Sequence, residues 1–372
     1  MEHIYIIMVV MQKKNPKIAI LHDYLVDRGG AERVVISLAK AFPEAPIYTS
    51  VFIPGKTFDF FTDKKVIYSK TLNALMGTLG KRELLAPLLP LYFRFLNLKK
   101  YDLVISSSSA FAIHARHKKH ICYCHTPARF IWRTTDYNRN NNFLKKIVLQ
   151  AISAFFKPGD YWASQHIHTF ITNAKNIKKR IQACYKKAAL VLPPAIDTHC
   201  FTLNKKSNYF FVLSRLKPYK QVDQAIEAFN ALGLPLLIAG SGSEEKNLKA
   251  LAKANIKFLG RVSDKDLFNH YSAARAFIFP GEEDFGITPL EAMASGCPVI
   301  GFGRGGLTET VINGTTGLLY KKQTAKELQK TVLTFIKKEK SFDPKKIQKH
   351  ASQFDEKVFI KKIQEIVYKN PE

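Results

Sequence analysis

Short apolar runs alternate with amphipathic helical stretches along nearly the whole of this 372-residue chain. Strands buried in a parallel sheet have short apolar sequences, and each crossover between two such strands needs a connecting helix. The alternation therefore predicts an α/β fold built on parallel sheets. The predicted strands are residues 17–25, 46–52, 102–107, 120–125, 169–172, 189–192, 209–214, 234–239, 256–259, 276–280, 298–302 and 317–320.

The pattern breaks once, at Pro193-Pro194 and the linker-like residues 197–207, and then starts again. We predict two doubly wound, Rossmann-like domains, residues 1–200 and 201–350, facing a central cleft, with a final helical segment at 351–372. Ligands of such sheets bind beyond the carboxyl ends of the strands. The predicted helices are residues 31–42, 222–232, 244–254, 264–274, 325–337 and 356–368, with a basic helical insert at 134–157.

The segment from Glu282 to Glu291 joins a predicted strand to a predicted helix and carries carboxylates on both sides of the joint. Upstream, Arg215 and Lys220 lie between another strand and its helix. A sugar nucleotide requires this combination, because cations neutralise its pyrophosphate and carboxylates accept hydrogen bonds from sugar and ribose hydroxyls. The pairing predicts a transferase that uses a nucleotide-activated sugar.

A structural role for Glu291 is the alternative. Thr288 at the N-cap, Pro289 at the first helical position and Glu291 at the third form the pattern of a capping box. Against this, Asp-Phe-Gly at 284–286 and the small residues at 292–296 permit close approach of a ligand. A helix N-terminus at that point also attracts phosphate through its free N–H groups and dipole.

The formal net charge is +27, and the excess is uneven, since residues 81–190 hold 20 Lys and Arg against four Asp and Glu. Single clusters such as residues 175–180 are typical of solvated helix faces. The summed field favours an anionic partner. The chain has no recognisable nucleic-acid-reading module, so we expect an anionic membrane surface and phosphate ligands, and no nucleic acid. Apolar residues at 84–89 and 91–96 fit membrane contact or, alternatively, the core of the first domain.

Five cysteines without paired zinc-type spacing predict a reduced, cytoplasmic protein. The apolar run at 4–11 is too short to span a bilayer, so it is a signal-like stub or an extension, and either Met1 or Met11 is the start. No other apolar run approaches membrane-spanning length, and we expect no integral membrane segment. We expect neither metal nor cofactor.

Glu283 and Glu291 are separated by seven residues that contain Phe-Gly-Ile, and Ala-Met-Ala-Ser-Gly-Cys-Pro-Val-Ile follows them. This pattern resembles the signature of group 1 glycosyltransferases, a retaining family with the two-domain GT-B fold. The resemblance implies that Glu283 meets the donor-sugar hydroxyls and Glu291 the ribose hydroxyls. It also implies that the backbone of Phe285, Gly286 and Ile287 approaches the sugar and its phosphate. The preceding glutamate competes for the first role, and the spacing favours Glu283.

Two loops are also similar to those of the family. Arg215, followed five residues later by Lys220, resembles the strand-end pair that neutralises the diphosphate leaving group, with Lys217 as a second candidate cation. Gly29 and Gly30 resemble the glycine-rich loop that lets acceptor or phosphate approach the backbone. A simple turn is the alternative for these two glycines.

His125 stands at a predicted strand end, where the family places a histidine that contacts the donor sugar in the cleft; His114, His117 and His120 are its rivals. The His-Thr-Pro-Ala-Arg and Gly-Gly-Ala-Glu-Arg segments resemble bacterial mannosyltransferases of surface-polysaccharide assembly, such as that of O-antigen and lipopolysaccharide. Arg304 departs from the family pattern, which has smaller residues there. The candidates for binding an anionic acceptor are Arg129, Trp132 and Arg133.

These resemblances imply a metal-independent, retaining transfer of a hexose to a lipid-linked or saccharide acceptor, with mannose from GDP-mannose favoured. We expect a peripheral enzyme on the inner face of the cell membrane, whose last helix crosses back to the first domain as in the family. Two other classes stay open. A sugar-nucleotide epimerase of the same fold needs no acceptor, and a basic nucleic-acid-binding protein loses affinity steeply as salt rises.

Overall fold

The computed structural model describes residues 16–80, 82–134 and 143–369. These residues form two compact units. The first contains the residues up to 134 together with 143–171 and 184–189, and the second contains 172–183 and 190–369. The apolar run at 4–11, with both candidate start residues, lies outside the described residues, as does most of the first third of the predicted insert at 134–157.

The first sheet has seven strands: β1 (Ile18–His22), β2 (Ile47–Thr49), β3 (Val66–Tyr68), β4 (Leu103–Ser108), β5 (His120–Cys124), β6 (Thr169–Thr172) and β7 (Ala189–Val191). Their spatial order is β3-β2-β1-β4-β5-β6-β7, so the order reverses between β1 and β4. The pairs from β3 through β5 are parallel. Strands β1, β4 and β5 are buried along their whole length, as expected for a parallel sheet covered on both faces.

The second sheet has six strands: β8 (Phe210–Leu213), β9 (Leu236–Ala239), β10 (Ile256–Gly260), β11 (Phe277–Phe279), β12 (Val299–Phe302) and β13 (Gly317–Tyr320). They pair in parallel in the order β10-β9-β8-β11-β12-β13. This is the 3-2-1-4-5-6 order of a Rossmann sheet, whose switch point lies between its first and fourth strands. The loops after β8 and β11 therefore flank the position where such a sheet binds its ligand.

Helices connect these strands, and in α1, for example, the apolar residues Val34, Val35 and Leu38 are buried. Those of the first sheet are α1 (Gly30–Ala41), α2 (Lys70–Leu79), α3 (Leu89–Arg94), α4 (Arg129–Trp132), α5 (Phe143–Gln165) and α6 (Lys175–Tyr185). Those that follow are α7 (Val222–Leu232), α8 (Glu245–Leu251), α9 (Asp264–Ala273), α10 (Ile287–Ala294), α11 (Leu307–Thr310), α12 (Ala325–Lys338), α13 (Pro344–Ala351) and α14 (Glu356–Lys369).

Every predicted strand is present, and the prediction missed β3. This strand has three half-buried or exposed residues at the edge of the sheet and follows Lys64 and Lys65, so it lacks the long apolar run of a central strand. The predicted helical insert corresponds to α5, which runs on to Gln165 because Pro158 lies inside it without ending it.

The apolar residues at 84–96 divide between core and surface. Leu85, Leu89 and Phe93 are buried in the core of the first unit, as the alternative reading of these residues predicted. Their neighbours Leu91 and Phe95 are exposed, by 50% and 77% of their surface. Helical spacing separates the two sets, because residues four apart share a face. Neither membrane contact nor packing in the core therefore accounts for the whole segment.

Candidate functional site

The two halves of the predicted donor site meet at the switch point of the second sheet. Arg215 and Lys220 belong to the loop after β8, and Glu283 belongs to the loop after β11. The ammonium of Lys220 forms an ion pair with Glu283 Oε1, and both side chains are largely shielded, with 15% and 23% of their surface exposed. Two loops that are 63 residues apart in the sequence are thus joined by one charge pair.

Tyr219 lies between the two cations of the first loop. The Lys220 ammonium is 5.3 Å from the centre of its ring, a cation–π contact. The Arg215 guanidinium donates to the Tyr219 hydroxyl at 3.2 Å and is otherwise on the exposed side of the loop. Lys217, the second candidate cation, is also exposed. The loop therefore presents one shielded and two solvent-facing positive charges.

Two glycines hold the Arg215 loop in place. Gly240 has a φ of +121°, and a Cβ there or at Gly242 would overlap the backbone oxygens of Ser214 and Leu216. The Leu216 N–H also donates to the Ser241 carbonyl at 3.0 Å. The loop after β9 therefore packs backbone against backbone on the segment that carries Arg215, which only glycine permits.

A second pair of glycines fixes the Glu283 loop from the other side. The N–H of Gly306 donates to the Glu283 carbonyl at 2.9 Å. A Cβ at Gly305 would overlap that carbonyl, and one at Gly306 would overlap the backbone of Phe285. The neighbouring Arg304 extends its guanidinium over the Phe302 ring, with 5.7 Å to the ring centre. The atypical arginine therefore leaves the close glycine contacts intact.

The capping-box interpretation of Glu291 is wrong. Helix α10 begins at Ile287, and its N-cap is Gly286, whose φ of +90° favours glycine. Thr288 is therefore the second helical residue, and Glu291 the fifth, beyond the reach of the N-cap. The Glu291 side chain is buried, and its Oε2 accepts a hydrogen bond from the Tyr271 hydroxyl at 3.0 Å. The sequence did not indicate that this carboxylate is buried and hydrogen-bonded to a tyrosine of α9.

The remaining acids of the motif have different surroundings. Glu282 is exposed, whereas Asp284 forms an ion pair with Arg180 of α6 at 3.0 Å, with both side chains mostly buried. Glu309 accepts from the backbone N–H groups of Lys175 and Asn176, at 2.8 and 3.1 Å, and so satisfies the N-terminus of α6. The sequence did not indicate either contact, because both join segments more than 100 residues apart.

In the first unit, Gly29 is the N-cap of α1, and Glu32 Oε2 accepts from its N–H at 3.1 Å. A Cβ on Gly29 would come within 2.8 Å of that oxygen. Glu32 Oε1 lies 3.9 Å from Nε2 of the buried His22. Burial lowers the pKa of His22, but the nearby Glu32 carboxylate outweighs it, and the pKa is raised. The predicted Gly29-Gly30 loop therefore adjoins a buried His–Glu pair.

Asp23 is a structural anchor that sequence reasoning missed. Its carboxylate accepts hydrogen bonds from the backbone N–H groups of four consecutive residues, at 2.7 to 3.1 Å, and one from the Ser108 hydroxyl at 3.2 Å. The four donors are Ser109, Ala110, Phe111 and Ala112. Asp23 follows β1 and these donors follow β4, so one carboxylate organises the switch point of the first sheet.

His125 follows β5, as predicted, and is half-buried. Its Nε2 is 2.8 Å from the Ser107 hydroxyl, and its ring packs on Tyr123 at 5.1 Å. The Nδ1 of His22 is 2.9 Å from the carbonyl of the same Ser107. The carboxyl ends of β1, β4 and β5 thus converge on one serine, with a histidine on either side of it.

The rival histidines have structural contacts. His120 is buried between the Ala115 carbonyl and the Ser106 hydroxyl, at 3.1 and 2.7 Å, and burial lowers its pKa to about 4. Both ring nitrogens of His117 contact backbone carbonyls. Burial also lowers the pKa of His114 to about 4. None of these three shares the strand-end position of His125.

Trp132, a candidate for acceptor binding, uses its polar atom inside the fold. Its indole N–H donates to Asp160 Oδ2 at 2.6 Å, and the Tyr185 hydroxyl donates to the same oxygen at 2.8 Å. Asp160 is fully buried, and burial raises its pKa to about 6 despite these two hydrogen bonds. Asp160 therefore fixes α4, the short helix that carries Arg129.

Within the described ranges, His, Cys, Asp and Glu side chains do not gather in threes where a metal ion could bind. In the same part of the chain, every helix is too short or too polar to cross a membrane.

Two family models match the chain in succession. The Glycosyltransferase Family 4 model matches residues 28–199, and the Glycosyl transferases group 1 model matches residues 198–354. Together they span residues 28–354, which include every residue of the predicted donor site.

Individual relatives agree with the family models. The alpha-1,3/1,6-mannosyltransferase ALG2 of Dictyostelium discoideum is 25% identical over 83% of this chain and 87% of its own length. A GDP-mannose-dependent phosphatidylinositol monomannoside mannosyltransferase of Corynebacterium glutamicum is 36% identical over 33% of this chain and 36% of its own length. Among solved structures, sucrose-phosphate synthase of Thermosynechococcus elongatus has a TM-score of 0.77 at 16% identity and covers 95% of this chain and 98% of its own. At that identity the structural likeness shows the fold alone.

Proposed function

The chain belongs to the group 1 glycosyltransferases, and on this premise we propose that it transfers mannose from GDP-mannose to a saccharide acceptor carried by a lipid. The main observation in support of the proposed donor site is the ion pair between Lys220 and Glu283, which joins the two loops at the switch point of the second sheet. The choice of mannose is supported by the relatives, which are named as mannosyltransferases. The epimerase and nucleic-acid-binding alternatives are set aside, because the chain is a glycosyltransferase.

In this proposal the cations stabilise the leaving group. The departing nucleoside diphosphate gains negative charge as the glycosidic bond breaks, and cations positioned for that charge lower the barrier. Lys220 and Arg215 take this role, and Glu283, already paired with Lys220, orients the sugar hydroxyls. No metal or further cofactor takes part, so chelation of divalent cations leaves the transfer rate unchanged.

The other roles follow the family pattern. Glu291 holds the ribose hydroxyls, and the backbone at 285–287 (Phe285, Gly286 and Ile287) approaches the sugar and its phosphate. His125 contacts the donor sugar, and the Gly29-Gly30 loop receives the acceptor or a phosphate. We propose retention of the anomeric configuration, with the acceptor attacking on the face that the diphosphate leaves.

We further propose that the enzyme works on the inner face of the cell membrane in surface-polysaccharide assembly. The support is the basic excess in residues 81–190 and the exposed apolar side chains among them, such as Leu91 and Phe95. Each basic residue near an anionic surface adds roughly 1 kcal/mol of attraction. A lipid-linked acceptor would hold its sugar end at this surface.

A thermal-shift screen tests the donor. A ligand that binds only the folded protein raises the melting temperature. We expect GDP-mannose and GDP to raise it more than UDP-glucose or ADP-glucose at equal concentration. A larger rise with either of the other two sugar nucleotides would replace the proposed donor, and no rise with any nucleotide sugar would contradict the donor site itself.

A further inference from the structure

Helix α5 exposes a continuous apolar face. Residues four apart lie on one side of a helix, so two adjacent rows of this spacing form a single stripe. Six large apolar side chains in two such rows have between 36% and 76% of their surface exposed. They are Phe143, Leu144, Ile147, Val148, Ile152 and Phe155.

The opposite side of α5 packs on its own unit. Ser153, which at about 100° per residue lies roughly opposite the middle of the stripe, donates its hydroxyl to the Ile131 carbonyl at 2.6 Å. The Phe156 ring, also on the side away from the stripe, packs on Phe130 with 5.7 Å between the ring centres. The helix is thus held by the side opposite the stripe, and the apolar stripe is left outward in the folded unit.

The charges around the stripe favour one kind of partner. From residue 143 to 159 the sequence of the helix has three lysines and no acidic residue. Lys146 is exposed, and the Lys157 ammonium lies 4.8 Å from the centre of the Trp132 ring, so both lie nearer the Ser153 side than the middle of the stripe. A helix with an apolar face, basic residues and no acidic ones has the composition of helices that lie in the interface of anionic membranes. A second copy of a chain with a net charge of +27 would instead bring like charges together.

We propose that α5 is the membrane-docking element of this protein. The helix lies in the plane of the interface, with Phe143, Leu144 and Phe155 among the lipid chains and Lys146 at anionic headgroups. The inference rests on the proposed function, since it names the surface through which the enzyme reaches a lipid-linked acceptor.

Vesicle flotation of the full chain tests the docking face. Vesicles of phosphatidylcholine alone are compared with vesicles containing one part in three of phosphatidylglycerol, at low and high salt. We expect the wild type to float with the anionic vesicles at low salt. The double variant Phe143→Gln/Phe155→Gln should lose affinity on the order of tenfold or more, because two large apolar side chains no longer enter the lipid. The control Leu251→Gln/Leu333→Gln changes two exposed leucines of the second unit, and it should bind as the wild type does.

Three outcomes overturn the inference. Equal binding by the α5 variant assigns docking to another surface, and no flotation of the wild type at low salt removes the membrane partner. Conversion of a wild-type dimer to a monomer by the α5 substitutions, with membrane binding unchanged, makes a second copy the occupant of the stripe. The rise in melting temperature with GDP is measured on the wild type, the α5 variant and the leucine control. If this rise is absent in the wild type, the proposed function fails, independently of the docking result.

Discussion

At the scale of single residues, two carboxylates of the proposed donor site and its motif are paired with cations. Glu283 pairs with Lys220 and Asp284 with Arg180, and in each pair both side chains are mostly shielded from water. A charge that is shielded from water and has lost its partner lowers the stability of the folded protein. Substitutions here therefore change stability as well as ligand binding, and neutral side chains of similar shape separate the two effects best.

Arg215→Ala and Lys220→Ala should both weaken transfer but differ in their effect on folding. Each removes a cation from the leaving group, which should cost on the order of 2–4 kcal/mol of transition-state stabilisation in kcat/KM. Arg215 is exposed, so its loss should leave the melting temperature unchanged, whereas Lys220→Ala leaves Glu283 without its cation and should lower it. Lys217→Ala, in the same loop, tests whether the second candidate cation shares this role, and Lys253→Ala, an exposed lysine before β10, is the control. Normal transfer by both the Arg215 and the Lys220 variants would exclude the diphosphate role.

Glu291 and Glu283 should respond differently to neutralisation. Glu291→Gln keeps an acceptor for the Tyr271 hydroxyl, so we expect weaker nucleotide binding with a nearly unchanged melting temperature. Glu283→Gln should lower kcat with nucleotide affinity nearly unchanged. Tyr271→Phe is the control, because it removes only the hydroxyl that contacts Glu291. If Tyr271→Phe and Glu291→Gln lose the same stability and neither loses nucleotide affinity, Glu291 is a structural residue.

At the scale of elements, glycines set how closely the donor loops approach. Gly306→Ala should destabilise the loop that carries Glu283, because the added Cβ would overlap the Phe285 backbone although the φ of −65° suits alanine. Overpacking of this kind costs about 1–3 kcal/mol, and donor binding should weaken with it. Gly77→Ala in α2 is the control, since it has open space around it and should stabilise by about 0.5–1 kcal/mol. Equal melting temperatures for the two variants would contradict the close packing.

Asp160 gives a pH-dependent prediction for the α4–α5 packing. Burial raises its pKa to about 6 from the ordinary 3.8, so its stabilising contribution is present below pH 4 and is lost as pH rises through 6. Asp160→Asn, which does not titrate, should gain on the order of 3 kcal/mol in unfolding free energy relative to the wild type between pH 4 and pH 7. Denaturant unfolding at several pH values measures this difference. If the unfolding free energies of the two proteins change with pH in the same way, the raised pKa of Asp160 is contradicted.

The sequence predicted the elements better than their ends. Apolar runs located every long strand, because buried parallel strands need them, but the short edge strand β3 carries no such run. The start of α10 was misplaced because Thr288-Pro289 is a good capping pattern. The positive φ of Gly286, which starts the helix earlier, depends on the loop packing around it.

At the scale of the whole molecule, the Glu-x7-Glu motif and the Arg–Lys loop were predicted to follow strand ends, and the structure places them there. Their partners were not, since Tyr271 and Arg180 lie on other elements and meet Glu291 and Asp284 only in the folded chain. Asp23 was missed for the same reason. Its role depends on four backbone N–H groups that carry no side-chain signature in the sequence.

The most direct test of the central claim is a transfer assay with the full chain, GDP-mannose labelled in the sugar, and lipid-linked saccharides extracted from membranes. We predict that label moves from the α-linked nucleotide sugar into the lipid fraction with release of GDP, that the new bond is α by NMR of the released saccharide, and that Lys220→Ala abolishes most of the transfer. A β-linked product would contradict retention. Isomerised or hydrolysed nucleotide sugar at the same rate with and without acceptor, and no labelled lipid, would contradict the proposed transfer to a lipid-linked acceptor.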